Sequence, residues 1–220
     1  SSFYNGAISR NQVMLQLAQI PEVKVINGSW YNRRNPDVTG TEQELYREIW
    51  EDHGVITVMA AGNGASDYGG PTAYVYPQSY DHVIQVSSLA CSFPYGTDHP
   101  TWGKIEWEDS HVNDFDNPNE STHQHHDKVD LVAPGYAVPG LLDINNGYRK
   151  GWGTSYASPM VAAACAMILS VNPDLTPDEV KDILLRTTDD IYHLPLNQQF
   201  VGQLGTGRLN VYRAIKITIL

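Results

Sequence analysis

Apolar residues fall in two rhythms along this chain, and the alternation between them predicts its elements. Val13, Leu15, Leu17, Ala18 and Ile20 lie at roughly helical spacing and stop at Pro21, after which Val23, Lys24, Val25 and Ile26 suit a short buried strand. The order then repeats. Thr41 and Glu44 have the spacing of a capping box that opens a helix through Trp50, His53-Gly54 supplies a stop, and residues 55–59 make a second strand. Residues 82–86 and 129–132 add two more apolar runs. Continuous β-branched runs, with no polar alternation, suit parallel strands buried on both sides, so the pattern predicts an α/β sheet with helices on both faces. In the last third, residues 151–159 lead into an unbroken apolar helix to about Val171, expected to be buried all round. Asn172-Pro173, a helix at 177–186 and a short helix near 211–215 complete the chain.

With 220 residues, 41% hydrophobic and 18% charged, the composition fits a single domain over residues 1–220. Residues 89–128 break the pattern: Asp109, Asp114, Asp116, Asn117, Asn119, Glu120 and then His123, His125 and His126 come with little apolar content, as in a polar surface insertion. The oxygen-rich part of that run carries the hard ligands calcium prefers, in a spacing that matches no defined loop, and the histidines are expected to be an exposed polar tract. A net charge of -11 argues against a nucleic-acid partner. No run reaches the ~20 apolar residues of a spanning helix, so no membrane span is expected. Two cysteines, Cys91 and Cys165, make no disulfide scaffold, and Cys165 is expected to pack as a small hydrophobe. The opening residues 1–6 carry no basic-then-apolar leader pattern.

Three segments carry candidate chemistry. Residues 151–160, Gly-Trp-Gly-Thr-Ser-Tyr-Ala-Ser-Pro-Met, combine glycines, hydroxyl side chains and a proline expected in the first turn of the apolar helix. The helix would point its positive end at Ser155, which favours developing negative charge. Taken alone, these residues leave two roles open, a nucleophile at Ser155 or a helix cap at Ser155 or Ser158. Residues 60–64, Ala-Ala-Gly-Asn-Gly, follow the second strand directly. A Gly-Asn-Gly turn is ordinary in itself, but at the carboxyl end of a parallel strand it lies where α/β sheets bind ligands, and the Asn63 amide could stabilise an oxyanion there. Residues 129–135 run from a strand into an Ala-Pro-Gly turn.

Together these segments resemble the subtilisin-like serine proteases, the subtilases. Their nucleophile motif (Gly-Thr-Ser, a variable residue, Ala, a small residue, Pro) is matched in full at residues 153–159, Ala-Ala-Gly-Asn at 60–63 and Ala-Pro-Gly at 133–135. Tyr76-Pro77 before the 83–84 strand and the closing Gly-x-Gly-x-x-Asn at 205–210 follow in the same order. The resemblance implies a three-layer subtilisin-like fold, with Ser155 as acyl nucleophile and Asn63 as side-chain oxyanion donor. It implies that the segment holding Ser29 and Trp30 pairs with an extended polypeptide substrate, that Ala60, Ala61 and Gly62 face it across a pocket, and that the Tyr76-Pro77 bond is cis. Tyr31 departs from the family, which has glycine there. The chemistry requires no cofactor, although calcium is common in the family, as is export, so an extracytoplasmic location is expected.

The family's Asp-Ser/Thr-Gly and His-Gly-Thr-His motifs, which supply the acid and base, do not occur in this sequence. His53 suits a helix end, His82 a strand start and His193 a loop. The chain therefore reads as the C-terminal portion of a subtilase catalytic domain, lacking its N-terminal strands; the alternative is an inactive homologue that binds peptide or protein. Missing strands would leave a sheet edge open for an N-terminal segment or for self-association.

Overall fold

The computed structural model describes residues 9–30, 35–64, 69–90, 123–136, 138–141 and 148–220. Its centre is a parallel sheet in the order β1 (Val25–Gly28), β2 (Ile56–Ala60), β3 (Ile84–Ala90), β4 (Leu131–Tyr136), so that the carboxyl ends of all four strands share one side. Each strand starts one or two residues later than its apolar run and reaches further forward. The leading residues Val55, Val83 and Val129 are buried all the same, as plugs beneath the sheet ahead of the ladder.

Helices cover both faces. Ile56, Val58, Ile84, Val86, Leu131 and Ala133 pack against α3 (Thr154–Val171), α4 (Pro177–Arg186) and α5 (Val211–Ile219). Ile26 and Met59 meet α1 (Arg10–Ala18) and α2 (Thr41–Arg47), the latter running on as a π-turn over Glu48–Asp52. Side chains that alternate across each strand thus feed two cores from the same few residues. Gly54, at φ 65°, ends the second of these helices as expected. A hairpin of β5 (Val138–Leu141) and β6 (Tyr148–Gly151), not signalled by the hydrophobic pattern, leads into α3.

Several expectations need correction. The capping box at Thr41 does not form: Glu44 is held by Arg47 at 2.6 Å, Thr41 shares a hydroxyl contact with Thr39 at 2.9 Å, and Asp37 accepts the Glu42 N–H at 3.1 Å in its place. No helix occurs among the described residues between β2 and β3; turns with the expected cis Tyr76–Pro77 bond make that connection. Pro134 and Gly135 lie inside β4 instead of a turn, opposite a bulge at Leu89/Ala90, and the missing N–H is tolerated in the last strand of the sheet. The polar insertion cannot span all of 89–128. Leu89 and Ala90 belong to buried β3, and His123, Gln124, His125 and His126 are buried, not an exposed tract. The Tyr74 ring meets His126 edge-on at 4.8 Å, and Phe200 lies 4.5 Å from His125. Residues 91–122, with the candidate calcium ligands, are outside the described residues.

The helix expected to be buried all round is buried on one side only. Ala157, Val161, Ala164, Cys165 and Ile168 face the sheet at helical spacing, whereas Ala163, Ala166, Met167 and Val171 are exposed, because the sheet covers one side of the cylinder. Among the described residues α3 alone is long and apolar enough to cross a membrane, and here it is a core helix of the sheet. Burial pushes the Cys165 thiol up to about 12.

Ile168→Ala should therefore cost about 2–5 kcal/mol in a urea titration, against less than about 0.5 kcal/mol for Met167→Ala, which is 49% exposed. Burial also lowers the pKa of His126 to about 4. The unfolded chain then takes up a proton near pH 6.5 that the folded chain refuses, so stability should fall as pH drops from about 6.5 to about 4. His126→Gln should remove up to ~1.4 kcal/mol per pH unit of slope in that window, measured as denaturation midpoints against pH.

Candidate active site

Three chain segments meet at the carboxyl end of the sheet. From β1 come Asn27 and Ser29, from the turn after β2 come Gly62 and Asn63, and between them sits the first turn of α3. Ser155 is the second residue of α3, half-buried. The helix N-cap is Gly153, with no side-chain cap bond, so neither Ser155 nor Ser158 caps the helix. Gly153 is held by its N–H to the Gly135 carbonyl at 2.7 Å. Its φ of 127° and the Asn63 amide 3.2 Å from where a Cβ would sit restrict this position to glycine.

Thr154 fixes the Asn63 amide. Its N–H and its hydroxyl both donate to Asn63 Oδ1, at 2.9 and 3.1 Å, while the same hydroxyl accepts the Gly62 N–H at 3.1 Å. A backbone N–H can only donate, so the atom it meets must be the amide oxygen, and the amide orientation follows. Nδ2 is left as a directed donor with no hydrogen-bond partner among the described residues, and the N–H of Ser155 is likewise free at the helix start. Two donors without partners among the described residues thus stand at the head of an 18-residue helix, whose positive end favours negative charge.

Pro159 is the sixth residue of α3, not part of its first turn. Having no N–H, it leaves the Ser155 carbonyl without its helical partner. The Ser29 hydroxyl donates to that carbonyl at 3.2 Å, and the fully buried Ser158 donates to Asn27 Oδ1 at 2.6 Å. Polar side chains at the end of β1 and just beyond it thus grip the helix at Ser155 and Ser158. Of the other residues expected to meet substrate, Trp30 is half-buried with its carbonyl accepting Gln78 Nε2 at 2.5 Å, and Ala60, Ala61 and Gly62 are buried. Tyr31 lies outside the described residues.

No histidine or carboxylate hydrogen-bonds Ser155 among the described residues. His53 approaches Glu48 at 3.6 Å, His82 meets Glu51 at 3.1 Å, and His193 meets Asp190 at 3.3 Å. Nor does any group of three or more His, Cys, Asp or Glu side chains among the described residues gather in a way that could hold a metal. Thr154 and Ser158 carry structural roles that sequence reasoning did not assign, although both stand inside the nucleophile motif.

The fold is a parallel α/β sheet with a serine in the first turn of its core helix and an asparagine amide tied to the residue beside that serine. The chain belongs to the subtilase family, whose profile matches residues 4–207. It is 30% identical over 163 residues to the serine protease AprX of Bacillus subtilis (strain 168), covering 67% of this chain and 34% of AprX. It is 33% identical over 138 residues to the halolysin-like extracellular serine protease Nep of Natrialba magadii, covering 63% of this chain and 20% of Nep. The chain therefore spans about a third or less of these relatives. Among solved structures, the prenylagaramide maturation protease PagA shares the fold, with a TM-score of 0.63 at 20% identity over 96% of this chain and 68% of that one.

Thr154→Val keeps the shape of this 1% exposed side chain but strands the Gly62 N–H and releases one of the two bonds on Asn63. It should lower stability by about 1–3 kcal/mol in denaturant titrations, and Thr154→Ser should recover most of that loss.

Proposed function

We propose that the protein containing this chain is a serine endopeptidase that cleaves extended polypeptides through an acyl-enzyme on Ser155. The observation that carries this reading is the Asn63 amide, whose oxygen is committed to Thr154, the neighbour of Ser155, and whose nitrogen has no partner among the described residues. In the proposed reaction Ser155 Oγ attacks the peptide carbonyl as a histidine takes its proton. Asn63 Nδ2 and the Ser155 N–H hold the resulting oxyanion; in subtilisin itself one such donor is worth about 3 kcal/mol. The C–N bond then breaks as the histidine returns the proton to the leaving amine, and water releases the acyl group by the reverse path.

The histidine and its orienting acid are proposed to come from a segment carrying the two motifs this sequence lacks. Among the described residues β1 is an edge strand, and that edge and the exposed face of α3 at Ala163, Ala166, Met167 and Val171 are the surfaces such a segment would cover. The substrate backbone would pair beside Ser29 and Trp30, with Ala60, Ala61 and Gly62 opposite as the pocket wall. No metal enters the chemistry. Calcium would take the oxygen-rich run Asp114, Asp116, Asn117, Asn119 and Glu120, and the location would be extracytoplasmic, as in the relative named extracellular.

A fluorophosphonate probe tests the reading. Residues 1–220 alone should label weakly or not at all, and the whole protein should label at Ser155, with labelling lost in Ser155→Ala. Strong labelling of residues 1–220 would place the base within them. No labelling of the whole protein would favour the inactive, peptide-binding homologue.

A further inference from the structure

Asn63 stands between two glycines in left-handed conformations, Gly62 at φ 115° and Gly64 at φ 69°. A Gly-Asn-Gly segment of this kind has little stiffness of its own, yet a useful oxyanion donor must be held to a fraction of an ångström. Thr154 fixes which way the Asn63 amide faces, but it leaves the path of the loop beyond Asn63 unheld.

That path is held by Gln124, a fully buried residue in the segment that precedes β4. Its N–H donates to the Gly62 carbonyl at 3.1 Å, and its Oε1 accepts the Gly64 N–H at 2.6 Å, so it grips the chain on both sides of Asn63. Gln124 is itself anchored: its carbonyl accepts the Ser87 hydroxyl at 2.5 Å from β3, and its Nε2 donates to the Gly70 carbonyl at 3.3 Å. The fit is close. A Cβ on Gly62 would come within 2.5 Å of Gln124 Oε1, so the loop is wrapped onto this amide with no room to spare.

We infer that Gln124 is a positioning residue for the oxyanion donor Asn63. It does not touch substrate, since it is fully buried beneath the loop. The inference rests on the peptidase reading above, because positioning matters only if Asn63 stabilises an oxyanion. Its effect belongs in the chemical step, where a small displacement of a donor is felt, and not in substrate binding.

The test is a double-mutant cycle in the whole protein with a chromogenic peptide anilide. Gln124→Met keeps the side-chain length and removes both polar contacts. It should lower kcat about ten- to a hundredfold with KM within about twofold. On an Asn63→Ala background the same change should alter kcat by less than about twofold, since the one donor that Gln124 places is gone. Gln124→Glu, which keeps the acceptor for the Gly64 N–H, should retain more kcat than Gln124→Met and serves if the methionine variant does not fold. An equal loss on both backgrounds, or a loss carried by KM, would overturn the assignment. A wild-type protein without turnover would sink the peptidase reading alone. Amide exchange then decides the positioning: the Gly64 N–H should exchange at least about tenfold faster in Gln124→Met, and unchanged exchange overturns the inference.

Discussion

The short set of hydrogen bonds made by Thr154 is the constraint on which the site depends. It joins the carboxyl end of β2 to the head of α3, two elements far apart in sequence, and it does so with the residue next to Ser155. A parallel sheet brings all its strand ends to one side, and the core helix returning across the sheet brings its positive end to the same place. Those two facts deliver Ser155 and Asn63 to one neighbourhood. Only the Thr154 bonds turn neighbourhood into orientation, because they commit the amide oxygen and so decide where the amide nitrogen is left.

Around that joint polar groups meet in pairs, some buried and some exposed. The Ser155 carbonyl, released by Pro159, is met by Ser29, and Ser158 is met by Asn27. At the far end of the sheet Asp130 pairs with Lys181 at 2.9 Å and accepts the Gln85 N–H at 2.8 Å. Burial raises the Asp130 pKa against the pull of that lysine. A buried polar group is tolerated when each of its hydrogen-bonding positions is answered, and these groups sit where strand ends must be joined to helices.

Much of this was legible in the sequence, for identifiable reasons. Uninterrupted β-branched runs signalled parallel strands because both faces are buried, and the motif around Ser155 is specific because glycine at 153 and small residues at 157 and 158 each answer a steric demand of the structure. Strand limits were displaced because a valine buried beneath the sheet looks the same in sequence as one within the ladder. The expected box at Thr41 failed because competing partners, Arg47 and Thr39, were as near in sequence as the intended ones. The burial of residues 123–126 was hidden by their polarity: histidines and a glutamine read as surface until packing against Tyr74 and Phe200 and bonds to Gly62 and Gly64 are seen. Gln124 gave no signal of its own, since its side chain bonds only backbone groups, those of Gly64 and Gly70.

The apolar surface of α3 has a consequence for its rotation about its own axis. A helix with a polar stripe is indexed by that stripe, since a turn of one residue would bury charge. From Val161 to Leu169 this helix has no such stripe: apolar residues occupy both sides, Val161, Cys165 and Ile168 the covered one and Ala163, Ala166 and Met167 the open one. Packing alone therefore discriminates weakly between neighbouring azimuths. The angular index comes from the head, where Thr154 and Ser158 are keyed to Asn63 and Asn27. One set of bonds thus aims the amide and sets the angle at which the whole helix meets the sheet.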